Sequence, residues 1–219
     1  MGLIAGIHSV KRSKQLNHIL GSMLKSQSHR DTDSPESVVR GDIAIGMANR
    51  HNNIYCTNDA PKNDPDSQMI QAFVDGIVLN VPEHRLNFQK KKFKISAPRC
   101  TSIVVAAYQQ WGEDFIYHLE GEFASVIWDQ NNNKIILCRD PYGHKPLHYY
   151  YEQEEFIFSS EIKGILAAGV KREIYKQALS EYLTLNNVPS PHTMFKNICQ
   201  VPPGAMVIYS SRSEERRVG

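Results

Sequence analysis

Apolar residues along this chain come in short runs, separated by polar stretches rich in turn-forming residues. Residues 3–7 form an apolar run that stops at His8, the pattern of a buried strand. Leu16, Ile19, Leu20, Met23 and Leu24 recur at helical spacing and predict an amphipathic helix over 12–26. Residues 27–41 are polar and read as a loop, and 42–48 as a strand. The stretch 57–67 (TNDAPKNDPDS) is all turn or loop chemistry. Two apolar runs within 69–80 flank Asp75-Gly76, a dipeptide that on local grounds signals a hairpin.

The second half continues in the same manner. Residues 83–92 read as a short basic helix, and 101–111 as a helix packed on Val104, Ala107 and Tyr108. Strand-like runs at 122–128 and 134–139 flank Asp-Gln-Asn-Asn-Asn, and those at 148–151 and 156–159 flank 152–155, giving two hairpins. Ser160 is placed to cap a helix running to Ala168, which Gly169 ends. A helix over 171–185, a Pro-interrupted loop over 189–204 and a strand over 205–209 follow. Strands in antiparallel pairs with helices between the groups give an α+β class. The last ten residues, SSRSEERRVG (210–219), break into charge without apolar periodicity. They read as a non-native or disordered tail, which leaves a domain over 1–209.

Charge and composition narrow the partners. Twenty-five Lys+Arg against 23 Asp+Glu leave a net charge of +2. No concentrated basic face is in view, and Lys90-Lys91-Lys92 reads as a solvated face, so no nucleic-acid partner is expected. The 41% hydrophobic content excludes a wholly disordered chain. No apolar run of membrane-spanning length occurs, and the start MGLIAGIHSVKRSKQ is not a secretory signal. Gly6 stands where a myristoylation pattern needs Ser or Thr. A cytoplasmic protein without a membrane partner is the expectation. Cys56, Cys100, Cys138 and Cys199 lie far apart with no CxxC, and read as reduced thiols. His144 and His148 lack a third ligand, so no metal site is expected.

Seven segments, in order, carry a resemblance. They are Met1–Ile7 (MGLIAGI), 29–33 (HRDTD), 75–80 (DGIVLN), 121–129 (GEFASVIWD), 139–147 (RDPYGHKPL), 158–163 (FSSEIK) and 201–204 (VPPG). Together they resemble the N-terminal class II glutamine amidotransferase domain of the asparagine synthetase family. The resemblance implies a four-layer αββα sandwich of the Ntn-hydrolase type with two mainly antiparallel sheets. It implies hydrolysis of glutamine to glutamate and ammonia by a Cys that becomes the first residue once Met is removed, with its own α-amine as base. It also implies that ammonia passes to a C-terminal ATP-pyrophosphatase-type domain, which adenylates a carboxylate and forms an amide.

The catalytic residues of the family do not all carry over. Residue 2 is Gly, with no side chain to attack a carboxamide. Loss of a nucleophile alone costs on the order of a millionfold in turnover. The Arg that clamps the glutamine α-carboxylate corresponds to Asn49, with Arg50 one residue on as a compensating candidate. The Asn and Gly of the oxyanion hole correspond to Asp75 and Gly76, and an ionised Asp75 repels a developing oxyanion. The Asp that receives the substrate ammonium corresponds to Cys100. His29 and Arg30 remain as a polar loop pair that supports local structure. Arg139-Asp140 reads equally as a structural turn and as part of an interface with a synthetase half.

The expectation is therefore a glutaminase-like domain of a truncated asparagine synthetase-type, ATP-dependent amide ligase, with glutamine hydrolysis lost. No Ser-Gly-Gly-x-Asp-Ser pyrophosphate loop is present, so ATP and Mg are expected only in a missing C-terminal domain. The expected partners are that synthetase domain and a second copy of the chain. Two alternatives stand beside this reading. One is a catalytically inactive binding or docking module. The other is one half of a ligase like the β-lactam synthetases or lasso-peptide cyclases.

Overall fold

A computed structural model describes residues 2–30, 35–48, 70–80, 83, 100–210 and 213–218. Two sheets stack face to face. The first runs β2 (Glu36–Arg40), β3 (Ile43–Ala48), β1 (Leu3–His8), β8 (Glu155–Ser159), β7 (His148–Glu152), β9 (Ile198–Gln200). The second runs β11 (Ser213–Val218), β10 (Met206–Ser210), β6 (Lys134–Arg139), β5 (Gly121–Asp129), β4 (Ile70–Val78). Every pairing within both sheets is antiparallel.

The period of two along each strand sorts side chains into layers. Ile4, Phe156 and Phe158 from the first sheet meet Phe73, Val126 and Leu137 from the second, forming the inter-sheet core. Leu3, Ala5 and Ile7 point the other way, under α1 (Leu16–Ser26) and α3 (Ile162–Ala167). Ala72 and Val74 of β4, with Ile127 and Ile136, pack under α2 (Cys100–Trp111). The result is the four-layer αββα sandwich. Among the described residues, no helix is long and apolar enough to cross a membrane.

The five apolar residues that predicted the first helix are its buried residues. The two hairpins after residue 120 form as β5–β6 and β7–β8, the second turning through Gln153 and Glu154 at positive φ.

Five local expectations give way to long-range pairing. Asp75-Gly76 is no hairpin, because β4 runs straight through it and pairs with β5 from Ile70↔Asp129 to Val78↔Gly121. Both flanks bury against the same neighbour, so a reversal would expose one of them. Gly76 keeps the pairing tight at φ +124, where an added Cβ would lie 2.0 Å from the Glu122 carbonyl oxygen. The expected loop at 27–41 contains β2, a largely exposed edge strand whose polar sequence hides it. The expected helix over 171–185 shortens to α4 (Lys176–Leu185). The preceding residues pair with 194–196 instead, Tyr175 N–H donating to the Met194 carbonyl at 2.9 Å. The loop expected at 189–204 holds β9. Ser160 does not cap α3; it serves β1, as described below. Apart from these five, the backbone of Ser213–Val218 pairs along β10. The loop at 57–67 and the basic stretch at 84–92 lie outside the described residues.

Candidate functional site

The site forms where the start of β1 crosses β4. β1 lies inside its sheet, paired with β3 from Leu3↔Ala48 and with β8 from Ala5↔Ser159. Its first turn of chain is pinned by Ser160. Ile4 N–H donates to Ser160 Oγ at 2.9 Å, and Ser160 N–H donates to the Ile4 carbonyl at 2.8 Å. The Ser160 carbonyl is engaged in turn by His148 Nδ1 at 3.1 Å. Burial pushes the His148 imidazole down to about 4, and the nearby Arg139 charge adds to the effect. At neutral pH the ring is therefore uncharged, and its Nδ1–H donates.

This anchoring fixes residue 2. Gly2 is buried, and its N–H donates to Asp75 Oδ1 at 3.1 Å across 73 positions of sequence. Asp75 is 1% exposed. It follows Phe73 on the inner face of β4, so its carboxylate points between the sheets. Gly76 is next along the strand. Cys100 opens α2 on the outer face of the same sheet, fully buried, with Sγ 3.5 Å from Val78 N. Gly2, Asp75 and Gly76 are thus brought together, and Cys100 reaches β4 two residues on. Asn49 and Arg50 lie outside the described residues.

Two further cysteines are described. Cys138 is buried against Ser125 Oγ on the α2 side of the second sheet, and burial pushes its thiol up to about 12. Cys199 sits half-buried on β9, outside any disulfide. Among the described residues, no group of three His, Cys, Asp or Glu side chains is placed to hold a metal ion.

The Arg139-Asp140 turn is built from backbone bonds. Arg139 donates to the carbonyls of Lys145 at 2.7 Å, Val201 at 2.6 Å and Gly143. Asp140 accepts from the N–H groups of Phe123, Tyr142 and His144, and its Oδ1 lies 3.0 Å from His144 Nδ1. These bonds account for the turn reading of the segment. Sequence reasoning had not found Ser160 and His148 as the anchors of β1. No local pattern could have shown them, since Ser160 is 156 residues from its partner. His29 sits on the surface beside Glu161 and Lys163, a local cluster away from Asp75.

A family model described as a glutamine amidotransferase domain matches residues 1–218. The chain belongs to the glutamine amidotransferase domain family. Asparagine synthetase [glutamine-hydrolyzing] 1 of Bacillus subtilis (strain 168) is 26% identical over 198 residues, 90% of this chain and 31% of that protein. Amidase chry2 of Gibberella zeae is 33% identical over 209 residues, 94% of this chain and 30% of that protein. The chain thus spans about a third of the length of these relatives. The fold matches glutamine phosphoribosylpyrophosphate amidotransferase of B. subtilis with a TM-score of 0.67 at 14% identity, over 100% of this chain and 49% of that one. The amidotransferase domain thus has an Ntn-hydrolase-like fold and is related to the N-terminal domains of asparagine synthetases.

Proposed function

We propose that this amidotransferase domain no longer hydrolyses glutamine and serves as the glutaminase-like half of an asparagine synthetase-type amide ligase. The observation that carries the reading is the corner itself. Gly2 brings a backbone nitrogen and no side chain, and that nitrogen lies 3.1 Å from a buried carboxylate. Covalent hydrolysis of an amide needs an activated nucleophile. It also needs donors aimed at the developing oxyanion, and a carboxylate offers acceptors there instead. Asn49 and Cys100, at the two positions that would hold the ends of free glutamine, carry no formal charge opposite to those ends. A changed clamp alone could be absorbed by Arg50. The missing nucleophile cannot.

In this reading the domain docks on a synthetase half and completes its architecture. ATP and Mg belong to that half, which takes free ammonia or another amine. The work is cytoplasmic, in keeping with Cys100, Cys138 and Cys199 forming no disulfide. The test is a glutaminase assay of the purified chain with millimolar glutamine. Glutamate release no faster than the uncatalysed rate is expected. Release that a glutamine-analogue electrophile abolishes would sink the reading.

A further inference from the structure

α4 (Lys176–Leu185) stands outside the three apolar clusters of the domain, and Ala178 is its buried residue. Polar contacts tether it. Tyr175 N–H, just ahead of the helix, donates to the Met194 carbonyl at 2.9 Å, and the Glu181 carboxylate lies 3.0 Å from His192 Nδ1. Four large apolar side chains on α4 reach the surface: Leu179, Tyr182, Leu183 and Leu185, with Leu183 76% exposed. Ile174, two residues ahead of the helix, is exposed as well. A helix of 10 residues is marginal in water and draws its stability from a packed apolar face. Much of the apolar face of α4 is open to solvent instead. A contiguous patch of this kind marks an interaction surface.

The pattern along the face selects the partner. Lys176, Leu179 and Leu183 are three and four residues apart, so they form one row along the helix, with Tyr182 beside it. Gln177 and Glu181 lie on the opposite side, bonded to each other at 3.1 Å and to His192 through Glu181, so they do not interrupt the row. Lys176 sits in the first turn, at the positive end of the helix dipole, where no acidic residue offsets it. The last turn, where a cation would help, carries no basic residue. The helix has its cation at the wrong end, and a second copy turned end for end corrects this. We propose that two copies of the chain pair through α4, antiparallel, about a two-fold axis at the level of Glu181.

In that register Leu179 meets Leu183 of the partner subunit, and Leu183 meets Leu179 of the partner subunit. Lys176 falls opposite Asn186 of the partner subunit. Asn186 ends the helix in the left-handed region at φ 53, beside the last carbonyls, which lack intrahelical donors. The ammonium brings donors and positive charge to that end. A parallel pair would set Lys176 against Lys176. The two-fold axis makes every contact twice, and the apolar rows of both copies form the dry centre of an interface of standard size, about 800 Å² a copy. The pairing uses no residue of the Gly2–Asp75 corner and is independent of whether glutamine is hydrolysed.

Sedimentation velocity of the chain from about 1 to 100 μM tests the proposal, since interfaces of this size reach micromolar affinity. A monomer–dimer equilibrium is expected. A chain that stays monomeric throughout overturns the proposal and leaves the face to a partner of another sequence, such as a synthetase half. Two variants read the register. Leu183→Asp puts a charge in the middle of the row, at a side chain too exposed for the fold to need, and is expected to weaken the dimer about a hundredfold. Lys176→Glu suits the first turn of its own helix better and meets the carbonyl end of the second helix worse. It is expected to weaken the dimer about tenfold without lowering the melting temperature of the dilute chain. A dimer as strong as the wild type in either variant overturns the pairing.

Discussion

Two neighbouring regions of this domain differ in how far they keep the family signatures. In the interior, each signature residue has a packing or bonding duty. Gly6 lies under the Phe158 ring, where a Cβ would come within 2.2 Å of Cζ. Gly76 allows β4 and β5 to touch, and Arg139 gathers three carbonyls. At the Gly2–Asp75 corner, no apolar packing calls for a carboxylate, and only chemistry can explain what stands there. The signatures hold where the fold needs them. At the corner, Gly2 and Asp75 stand in place of the family's residues, which is what the proposed loss of glutamine hydrolysis would leave behind.

The sharpest way to break this comparison is to damage the first kind of residue. Gly76→Ala places a methyl group 2.0 Å from the Glu122 carbonyl oxygen at a φ of +124 that L residues avoid. Neither partner is the free end of a flexible side chain, so the strands must part. A loss of about 4 kcal/mol is expected from strain and overpacking together. Urea unfolding measures it. A loss below about 1 kcal/mol would mean that the glycine is not kept for packing, and the contrast with the corner would fail.

The next effect is on chemistry. Gly2→Cys restores a thiol but leaves Asp75 facing the place where negative charge would develop. Adding Asp75→Asn replaces that acceptor by a donor. The double variant is expected to release glutamate about a hundredfold faster than Gly2→Cys alone, the usual worth of one oxyanion donor. Asn49 and Cys100 are untouched, so the gain should appear in kcat while KM stays high. Equal rates in the two variants would place the oxyanion site away from residue 75.

How far the sequence could be read divides along the same line. The layers were legible because they repeat a local rule: five apolar residues at helical spacing mark α1, and short apolar runs bounded by polar or turn residues mark β1, β5 and β6. Asp75-Gly76 misled because a hairpin signal is local, whereas β4 is decided by β5 alongside it. Ser160 misled for a similar reason: its hydroxyl had a nearby helix to cap and serves a distant strand instead. At the site, the sequence named the changed residues one by one. That Gly2 and Asp75 touch needed the fold, since the two lie 73 positions apart on strands of different sheets.

The smallest expected effect joins the two regions. His148 belongs to the interior by burial and to the corner by its bond to Ser160, whose hydroxyl and amide hold the start of β1. Burial pushes the imidazole down from 6.5 to about 4. Between those values the unfolded chain binds a proton at His148 and the folded chain does not. Acid therefore favours unfolding, and the stability present above pH 6.5 is lost progressively until about pH 4, below which both states are protonated. The full shift would be worth about 3 kcal/mol, and partial access to water brings the expectation to about 2 kcal/mol. His148→Gln keeps an N–H donor for the Ser160 carbonyl and does not titrate. Urea unfolding at pH 7, 5.5 and 4 should show the variant losing about 2 kcal/mol less than the wild type across that range. If both lose the same amount, His148 is not the group through which acid loosens the corner, and the anchoring of β1 by Ser160 stands apart from the protonation of the interior.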